Sequence, residues 1–333
     1  MRRTGNLFEQ VVDYDNLLAS WREVRAGKRM HAGVLRTERR LPVVLQRLQD
    51  ALGEGTYRPQ PNRSFVLHDP KTRLIEAPHL HDRIVQHALT RVVRDLIEPR
   101  LIRHTYACIR GRGTHAASEQ AHRYIRQVPH GFFLKLDIRK FFPSIHHDTL
   151  MGQLERVIKC PRTLGLLELF VRTNGLDRGL PIGATTSQIL ANLALSPVDH
   201  AAKRELGAQR YVRYMDDIII VHASKQFLRT AMNGLGEVVR GLWMEINPKS
   251  GIGRVRDGLD FVGYRHFLGM KLIRKRSLYG IRKALAAGPT LPRVMAYLSH
   301  AKDTSSLSTV ARLCIRYAPA HKIDVWDWRV RHA

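Results

Sequence analysis

The chain has 333 residues, of which 44% are hydrophobic and 25% are charged, as in an ordinary globular protein. Its charge balance is unusual, because 55 Lys and Arg residues face 29 Asp and Glu residues, a net charge of +26. This excess favours nucleic acid as a partner over a membrane surface, since no basic amphipathic helix stands out. No apolar run approaches the ~20 residues that span a bilayer, and three cysteines without a CxxC pair argue against a zinc site or a disulfide framework. We therefore expect a cytoplasmic protein with no membrane contact.

The first 60 residues are predicted to be helical. Apolar residues recur at i, i+3 and i+4 in the stretches 17–24 and 41–48, and Gly53 and Gly55 end the second helix. Two short strands, RSFVLHD and TRLIEAP, follow around the turn HDPKT. The next segment, DRIVQHALTRVVRDLIEPR, is an amphipathic helix that stops at Pro99.

The remainder mixes strands and helices without strict alternation. A buried strand, a turn and a short helix are predicted in GFFLKLDIRKFFPSI, and one long helix in TSQILANLALSPVDHAAKREL. Two strands about a tight turn are predicted in QRYVRYMDDIIIVHAS, and a small hairpin in GLDFVGYRHF with MKLIRK. Helices follow to the C-terminus. This arrangement predicts an α+β fold.

Two adjacent carboxylates, Asp216 and Asp217, interrupt the apolar run RYMDDIII. The flanking segments YVRY and IIIV are strongly β-forming, whereas Asp disfavours strand interiors and tolerates turns. We therefore predict a hairpin turn at Met215–Asp216 that places both carboxylates at the end of a sheet. On this stretch alone, a solvated turn that carries two Asp by chance is the alternative.

A third carboxylate, Asp137, ends the apolar strand in FLKLDIRKFF. Such a group is costly to bury unless it is paired or bound to a metal. If this strand lies beside the hairpin, the three carboxylates converge and raise one another's pKa unless a cation lies among them. Hard oxygen ligands select Mg²⁺ or Mn²⁺, and two such ions, roughly 4 Å apart, support in-line phosphoryl transfer. We therefore expect two Mg²⁺ ions, with Mn²⁺ as a possible substitute.

The order of the motifs resembles that of reverse transcriptases. The segments LKLDIRKFF, GLPIGATTSQILANL, RYMDDIIIV, INPKSG and LDFVGYRHF are similar to their successive palm motifs, and KTRLIEAPHLHDRIVQHAL and TYACIRGRGTHAA to their finger motifs. The resemblance covers about residues 64–270. It implies a right-hand polymerase fold with fingers, a palm built on an antiparallel sheet, and a short helical thumb. The implied domains are an N-terminal helical extension (1–60), interleaved fingers and palm (61–268) and a helical thumb (269–333).

One motif resembles that of a particular group of reverse transcriptases. Where most relatives have Gln-Gly followed by Ser-Pro, the chain reads IGATTSQ from Ile182 to Gln188, which resembles the reverse transcriptases of diversity-generating retroelements. That resemblance implies error-prone copying of a template RNA into cDNA, a bacterial or phage origin, and a small basic, oligomeric accessory variability protein as partner. Because apolar contacts discriminate mismatches only weakly, Ile182 is hypothesised to lower fidelity.

The resemblance to reverse transcriptases also assigns roles to individual residues. Asp137, Asp216 and Asp217 are the implied catalytic and metal-binding acids, with the backbone carbonyl of Ile138 as a further ligand. Phe142 corresponds to the aromatic gate that excludes a ribose 2′-hydroxyl. The implied dNTP-binding set is Lys71, Arg73, Phe142, Ile182, Gly183, Gln188 and Lys249, and the implied primer grip is Phe261, Gly263 and Tyr264. Template RNA, an RNA–DNA hybrid and dNTPs are the implied partners.

Two alternatives stay open. The first is a reverse transcriptase of group II intron or retron type. We expect an intron enzyme to continue into a maturase or endonuclease region and a retron enzyme to carry its own motifs before the thumb, and neither feature is seen. The second is a non-catalytic RNA-binding scaffold of the same fold, against which the three aspartates argue.

Overall fold

The computed structural model describes residues 4–68, 72–173 and 175–317. The predicted helical N-terminus is confirmed, although it contains four helices where the spacing distinguished two. These are α1 (Phe8–Val12), α2 (Tyr14–Arg25), α3 (Ala32–Glu38) and α4 (Leu41–Gly53). The periodic side chains Leu17, Trp21, Val24 and Leu45 are fully buried, so the apolar stripe of each longer helix faces the core.

A two-stranded hairpin and two long helices follow. They are β1 (Arg63–His68), β2 (Thr72–Ala77), α5 (Leu80–Ile97) and α6 (Thr114–Gln127). The strands pair antiparallel, as predicted, with Leu67 opposite Arg73. Helix α5 ends two residues before Pro99 and packs against α2.

Six helices surround the central part of the chain. They are α7 (Phe141–Ser144), α8 (His147–Glu155), α9 (Pro161–Val171), α10 (Thr185–Ala194), α11 (Ser196–His200) and α12 (Lys225–Gly241). The prediction of one long helix over TSQILANLALSPVDHAAKREL is wrong, because the helix breaks at Leu195 and closes with a π-helical turn at Ala201–Glu205. Pro197 explains the break: proline has no N–H and its ring clashes with the carbonyl four residues earlier.

The central sheet has four antiparallel strands in the order β4-β5-β3-β6. They are β3 (Phe132–Leu136), β4 (Tyr211–Tyr214), β5 (Asp217–His222) and β6 (Gly251–Arg254). Ile218 and Ile220 belong to one hydrophobic core and Ile219 and Val221 to another. Helix α12 contacts β3 and β5, and α6 also contacts β4 and β5. Burial on both faces explains why the centre of β5, from Ile218 to Val221, is continuously apolar rather than alternating.

A smaller sheet and three helices complete the described chain. The strands are β7 (Leu259–Phe261), β8 (Tyr264–His266) and β9 (Lys271–Ile273), and the helices are α13 (Lys275–Ala286), α14 (Leu291–Ala301) and α15 (Leu307–Tyr317). The prediction of a two-stranded hairpin here is wrong, because GLDFVGYRHF folds back on itself at Val262–Gly263 and the sheet has three strands. Both turn residues have positive φ, 41° and 92°, which allows the tight reversal. The three helices bury a core of their own around Leu285, Val294 and Leu298.

The α+β class is confirmed by these helices and antiparallel sheets. Among the described residues, no helix has the length and apolar character required to cross a membrane.

Candidate active site

The turn between β4 and β5 lies at Met215–Asp216, where the sequence predicts it. Tyr214 pairs with Asp217, so only two residues connect the strands. Met215 has φ of 55°, a left-handed conformation that costs a non-glycine residue roughly 1–3 kcal/mol. The Arg213 guanidinium donates a 2.9 Å hydrogen bond to the Met215 carbonyl and holds it in place.

Asp137 lies beside this turn. Leu136, the last residue of β3, pairs with Ile218, so Asp137 emerges next to the start of β5. The carboxyl groups of Asp137 and Asp216 lie close enough for the charge of Asp137 to raise the pKa of Asp216. Asp217 is placed differently, because its Oδ2 lies 3.4 Å from the Lys135 ammonium. Its other oxygen, Oδ1, is buried without a hydrogen-bond partner. The predicted convergence is therefore closest for Asp137 and Asp216.

The electrostatics reflect this crowding of acids. Burial and, next to it, the neighbouring charge of Asp137 raise the pKa of Asp216 to about 6. Burial also raises the pKa of Asp217 to about 6, although Lys135 opposes the shift. Both carboxyl groups are thus held in surroundings that disfavour their charged form, which is the condition that a bound cation would relieve.

Two side chains that the sequence reasoning missed hold Asp137. The Asn247 amide donates to Asp137 Oδ2 at 2.6 Å, and the backbone N–H of Asn247 donates to the Asp137 carbonyl at 2.8 Å. The Ser250 hydroxyl accepts from the Asp137 N–H at 3.0 Å. Both residues belong to the segment INPKSG, in which the resemblance to reverse transcriptases assigns a role only to Lys249. An Asn-Pro pair within a short turn was the available signal.

A fully buried ion pair supports the turn from behind. Arg213 and Asp199 are both inaccessible to solvent, with Nη2 2.6 Å from Oδ2 and Nε 2.7 Å from Oδ1. Tyr211 and Thr105 donate to the same carboxylate at 2.5 and 3.1 Å, and Asn192 accepts from Arg213 at 3.1 Å. Sequence reasoning missed this network. The only feature of the sequence that indicates this network is Arg213, a charged residue inside the otherwise apolar β4.

The loop before α10 meets the β1–β2 hairpin. The Glu76 N–H donates to the Ile182 carbonyl at 3.0 Å. Gly183 has φ of 122°, and a Cβ there would lie 3.3 Å from the Glu76 carbonyl oxygen. Gln188 is exposed on α10, and Arg73 is exposed on β2. The structure therefore places Ile182 and Gly183 against the strand that carries Arg73.

The other predicted residues differ in their exposure. Phe142 is half-buried and packs beside the buried Phe141, with ring centroids 5.4 Å apart. Ile138 is buried, and within the described part of the chain its carbonyl accepts no hydrogen bond. Lys249 is exposed, and its N–H donates to the Asn247 side chain at 3.1 Å. Lys71 lies outside the described residues.

The predicted primer-grip residues form the turn between β7 and β8. The side chains of Phe261 and Tyr264 are buried, and the Tyr264 hydroxyl lies 2.9 Å from Nδ1 of His300 on α14. Gly263, at the turn, is half-buried, and a Cβ there would lie 3.7 Å from the His300 ring.

The carboxylate cluster fits a hard cation by its chemistry rather than by its present arrangement. Within the described ranges, no group of three or more His, Cys, Asp or Glu side chains is placed so that it could hold an ion. One oxygen of Asp217 is instead paired with the Lys135 ammonium at 3.4 Å. The donors are nevertheless all oxygen, and one of them is buried and unpaired, which is the character of a Mg²⁺ or Mn²⁺ ligand set.

Comparison with known proteins identifies the fold and the family. The family described as reverse transcriptase (RNA-dependent DNA polymerase) matches residues 61–266. The chain belongs to this reverse transcriptase family. Members of the family generally depend on divalent metal ions. The matched range contains all of the predicted catalytic and dNTP-binding residues and the predicted primer grip.

Two individual proteins are similar to the chain at low sequence identity. The chain is 28% identical over 297 residues to protein YkfC of Escherichia coli (strain K12), an alignment that covers 75% of this chain and 76% of YkfC. It is 26% identical over 174 residues to the group II intron-encoded protein LtrA of Lactococcus lactis subsp. cremoris, covering 49% of this chain and 28% of LtrA. The chain thus spans about a quarter of LtrA.

A solved structure supports the architecture. The chain matches a telomerase from Candida albicans, solved in complex with a fragment of telomeric RNA, with a TM-score of 0.52 and 12% identity. The match covers 83% of this chain and 55% of the telomerase chain. The predicted right-hand polymerase fold is therefore confirmed.

Proposed function

We propose that the chain is an RNA-directed DNA polymerase whose chemistry takes place at Asp137, Asp216 and Asp217. The observation that carries this proposal is the proximity of the Asp137 and Asp216 carboxyl groups, together with the buried, unpaired oxygen of the adjacent Asp217. Three acids at the ends of paired strands destabilise the folded protein, and a functional role explains why they are present.

These acids, with the Ile138 carbonyl, would hold the divalent cations. When bound, Mg²⁺ or Mn²⁺ lowers the pKa of a primer 3′-hydroxyl and stabilises the charge on the triphosphate. The chain's own contribution is rigid placement. Asn247 fixes one oxygen of Asp137, and Arg213 fixes the Met215 carbonyl beside Asp216. Such positioning supplies much of the catalysis in phosphoryl transfer.

The proposed dNTP site lies between the β1–β2 hairpin and the loop before α10. Arg73, with Lys71, would bind the triphosphate, and Lys249 the leaving pyrophosphate. Phe142, half-buried in α7 and five residues after Asp137, would exclude a 2′-hydroxyl. Ile182, Gly183 and Gln188 would contact the nascent base pair.

The remaining parts of the chain would hold nucleic acid. We assign residues 1–60 to an N-terminal extension, 61–268 to fingers and palm, and 269–333 to the thumb. The turn that contains Phe261, Gly263 and Tyr264 would support the primer strand. The excess of basic residues would bind the template RNA and the RNA–DNA hybrid through phosphates, in a bacterial or phage-derived cytoplasmic setting.

The finer proposal is that the enzyme diversifies a target gene, with a small basic accessory variability protein as partner. It rests on the segment Ile182–Gln188 and on the apolar Ile182 in particular. We expect Ile182→Gln to lower misincorporation opposite template adenine, which sequencing of the cDNA measures. An unchanged error spectrum would remove Ile182 from the explanation.

The similarity to LtrA favours a second candidate, a reverse transcriptase of group II intron type. The neighbouring DNA distinguishes the two. A pair of near-identical repeats that differ at adenines, beside a small basic reading frame, supports the diversifying role. An intron structure in the flanking DNA supports a reverse transcriptase of group II intron type.

Primer extension on an RNA template with Mg²⁺ tests the proposed activity. Wild-type protein should extend the primer, and Asp216→Asn should lower the rate at least about 10²-fold, the loss typical of one strong electrostatic group. Asp257→Asn, an exposed acid beside Arg256, is the matched control. A wild type that binds RNA but makes no cDNA, with or without an accessory protein, would establish the non-catalytic scaffold instead.

A further inference from the structure

A second concave surface, which we call the arginine cavity, lies on the outer side of β4. It has a volume of about 430 Å³ and lies between the segment 103–112 and helix α6. Its principal lining residues are Arg103, His104, Tyr106, Arg112, Gln120 and Arg123. Among the described residues that line it, none is an Asp or Glu.

The positive charge in the arginine cavity is concentrated and not offset. His104 lies within the field of Arg103, Arg112 and Lys203, and burial together with these cations lowers its pKa. Arg103 and Arg123 are exposed, and neither forms an ion pair with any acid in the described part of the chain. Cations left without a carboxylate in a concave surface indicate an anionic ligand.

The wall of the cavity is rigid. Arg112 donates to the Thr105 carbonyl at 2.8 Å, which fixes the segment 103–112. The rings of His104 and Tyr124 lie 6.3 Å apart, and Tyr106 is buried. A preformed wall of this kind binds a ligand with little loss of conformational entropy.

The same segment closes the edge of the sheet. The Arg213 N–H donates to the His104 carbonyl at 2.9 Å, and the Tyr106 N–H donates to the Arg213 carbonyl at 3.0 Å. The outer edge of β4 is thereby hydrogen-bonded, so a partner protein cannot add a strand here. The groups that remain available to bind a ligand are the arginine cations and the aromatic and polar side chains beside them. This combination suits a phosphate backbone.

The arginine cavity extends along α6 from Ala116, near the start of the helix, to Arg123. Thr114, at the start of the helix, donates to the Tyr214 hydroxyl beside the catalytic turn at 3.1 Å. Arg123 lies nine residues further along α6, a distance of about 14 Å at 1.5 Å per residue. A polyanion in the arginine cavity would therefore lead away from the reacting atoms.

We propose that the arginine cavity binds the phosphate backbone of RNA that lies outside the catalytic cleft. The ligand is an extended or folded RNA region rather than the primer–template duplex itself. This inference rests on the proposed function for its choice of RNA as the polyanion. It gives the template a second, sequence-independent attachment to the enzyme.

The salt dependence of RNA binding tests this proposal. Arg103→Gln/Arg123→Gln removes two exposed cations from the arginine cavity, and Arg36→Gln/Arg229→Gln removes two exposed arginines elsewhere. Fluorescence anisotropy with a long folded RNA and with a short primer–template gives the slope of log K against log[KCl]. We expect the cavity variant to lower the slope for the long RNA by about 1.5, since each phosphate contact contributes about 0.7–0.9.

The same variant should leave the slope for the short primer–template, and its extension, at the control level. Equal slopes for the two double variants on the long RNA would overturn the proposal, as would an equal change on the short duplex. Unchanged RNA binding with lost binding of labelled polyglutamate would instead make the arginine cavity a docking surface for an acidic protein. Failure of wild type to extend any primer would refute the proposed polymerase activity, whereas the RNA slopes would still decide the role of the cavity.

Discussion

Arg213 connects the turn that carries Asp216, the proposed catalytic turn, to the helices behind the sheet. Its guanidinium bonds Asp199 through two nitrogens and also reaches the Met215 carbonyl. Because both charges are inaccessible to solvent, neither can be removed alone without leaving the other unpaired. The left-handed conformation of Met215 thus depends on a side chain only two residues away.

We expect Arg213→Met to destabilise the protein by about 3–5 kcal/mol, because it leaves the Asp199 charge buried without its cation. Chemical denaturation measures the loss. The double variant Arg213→Met/Asp199→Leu should regain much of the stability while primer extension stays low, since the Met215 carbonyl remains unsupported. Full activity in the double variant would show that the network does not position the turn.

At the scale of elements, the most constrained contact joins the β1–β2 hairpin to the loop before α10. Gly183 combines a φ of 122° with a carbonyl oxygen 3.3 Å from where its Cβ would lie. The Glu76 N–H, in the same strand, bonds the preceding Ile182 carbonyl at 3.0 Å. The proposed dNTP site lies between these two elements, so their spacing sets its size.

Gly183→Ala should cost roughly 1–3 kcal/mol, because a side chain here is strained by the backbone conformation. The proposed location also predicts a higher KM for dNTPs. Gly165→Ala is the matched control, since Gly165 is helical with open space around it and alanine there should stabilise by roughly 0.5–1 kcal/mol. Equal thermal stabilities and KM values for the two variants would contradict this account.

The elements themselves were largely predictable from local signals. Helical periodicity located α2, α4 and α5, and β-forming residues on either side of Asp216 located the hairpin. Two predictions were wrong because single residues interrupt apolar stretches. Pro197 breaks a helix, and Val262–Gly263 reverses a strand. Periodicity reports which face is buried, whereas a single residue with fixed or positive φ decides where an element ends.

At the scale of the whole molecule, the proximity of Asp137 to the Asp216 turn could be predicted, but most of the residues that support this arrangement could not. Asp137 and Asp216 are acids in apolar surroundings, which the sequence displays directly. Asn247, 110 residues from Asp137, and Asp199 are polar residues in unremarkable segments. Their roles depend on which elements pack together, and no local pattern records that.

His266 provides a test of how α6 packs on the small sheet. It is fully buried with its ring 5.8 Å from that of His122, and burial lowers its pKa to about 3. Between pH 3 and 6.5 the unfolded chain therefore binds more protons than the folded one, so the stability contributed by neutral His266 is present above pH 6.5 and is lost as the pH falls.

His266→Phe removes this titration. Relative to wild type, the variant should gain about 2 kcal/mol at pH 5 beyond any change at pH 8, from a shift of 1.5 pH units at 1.36 kcal/mol each. Urea denaturation at the two pH values measures the difference. A difference that does not change with pH would mean that His266 is not buried in the neutral form.

The proposed polymerase activity depends on divalent cations binding at Asp137 and Asp216. Electron paramagnetic resonance of Mn²⁺, titrated into the protein with primer–template and a non-reactive dNTP analogue, measures this binding directly. Wild type should bind two Mn²⁺, Asp216→Asn should weaken the binding about tenfold or more, and Asp257→Asn should bind as wild type does. Equal Mn²⁺ binding by wild type and Asp216→Asn would contradict the account.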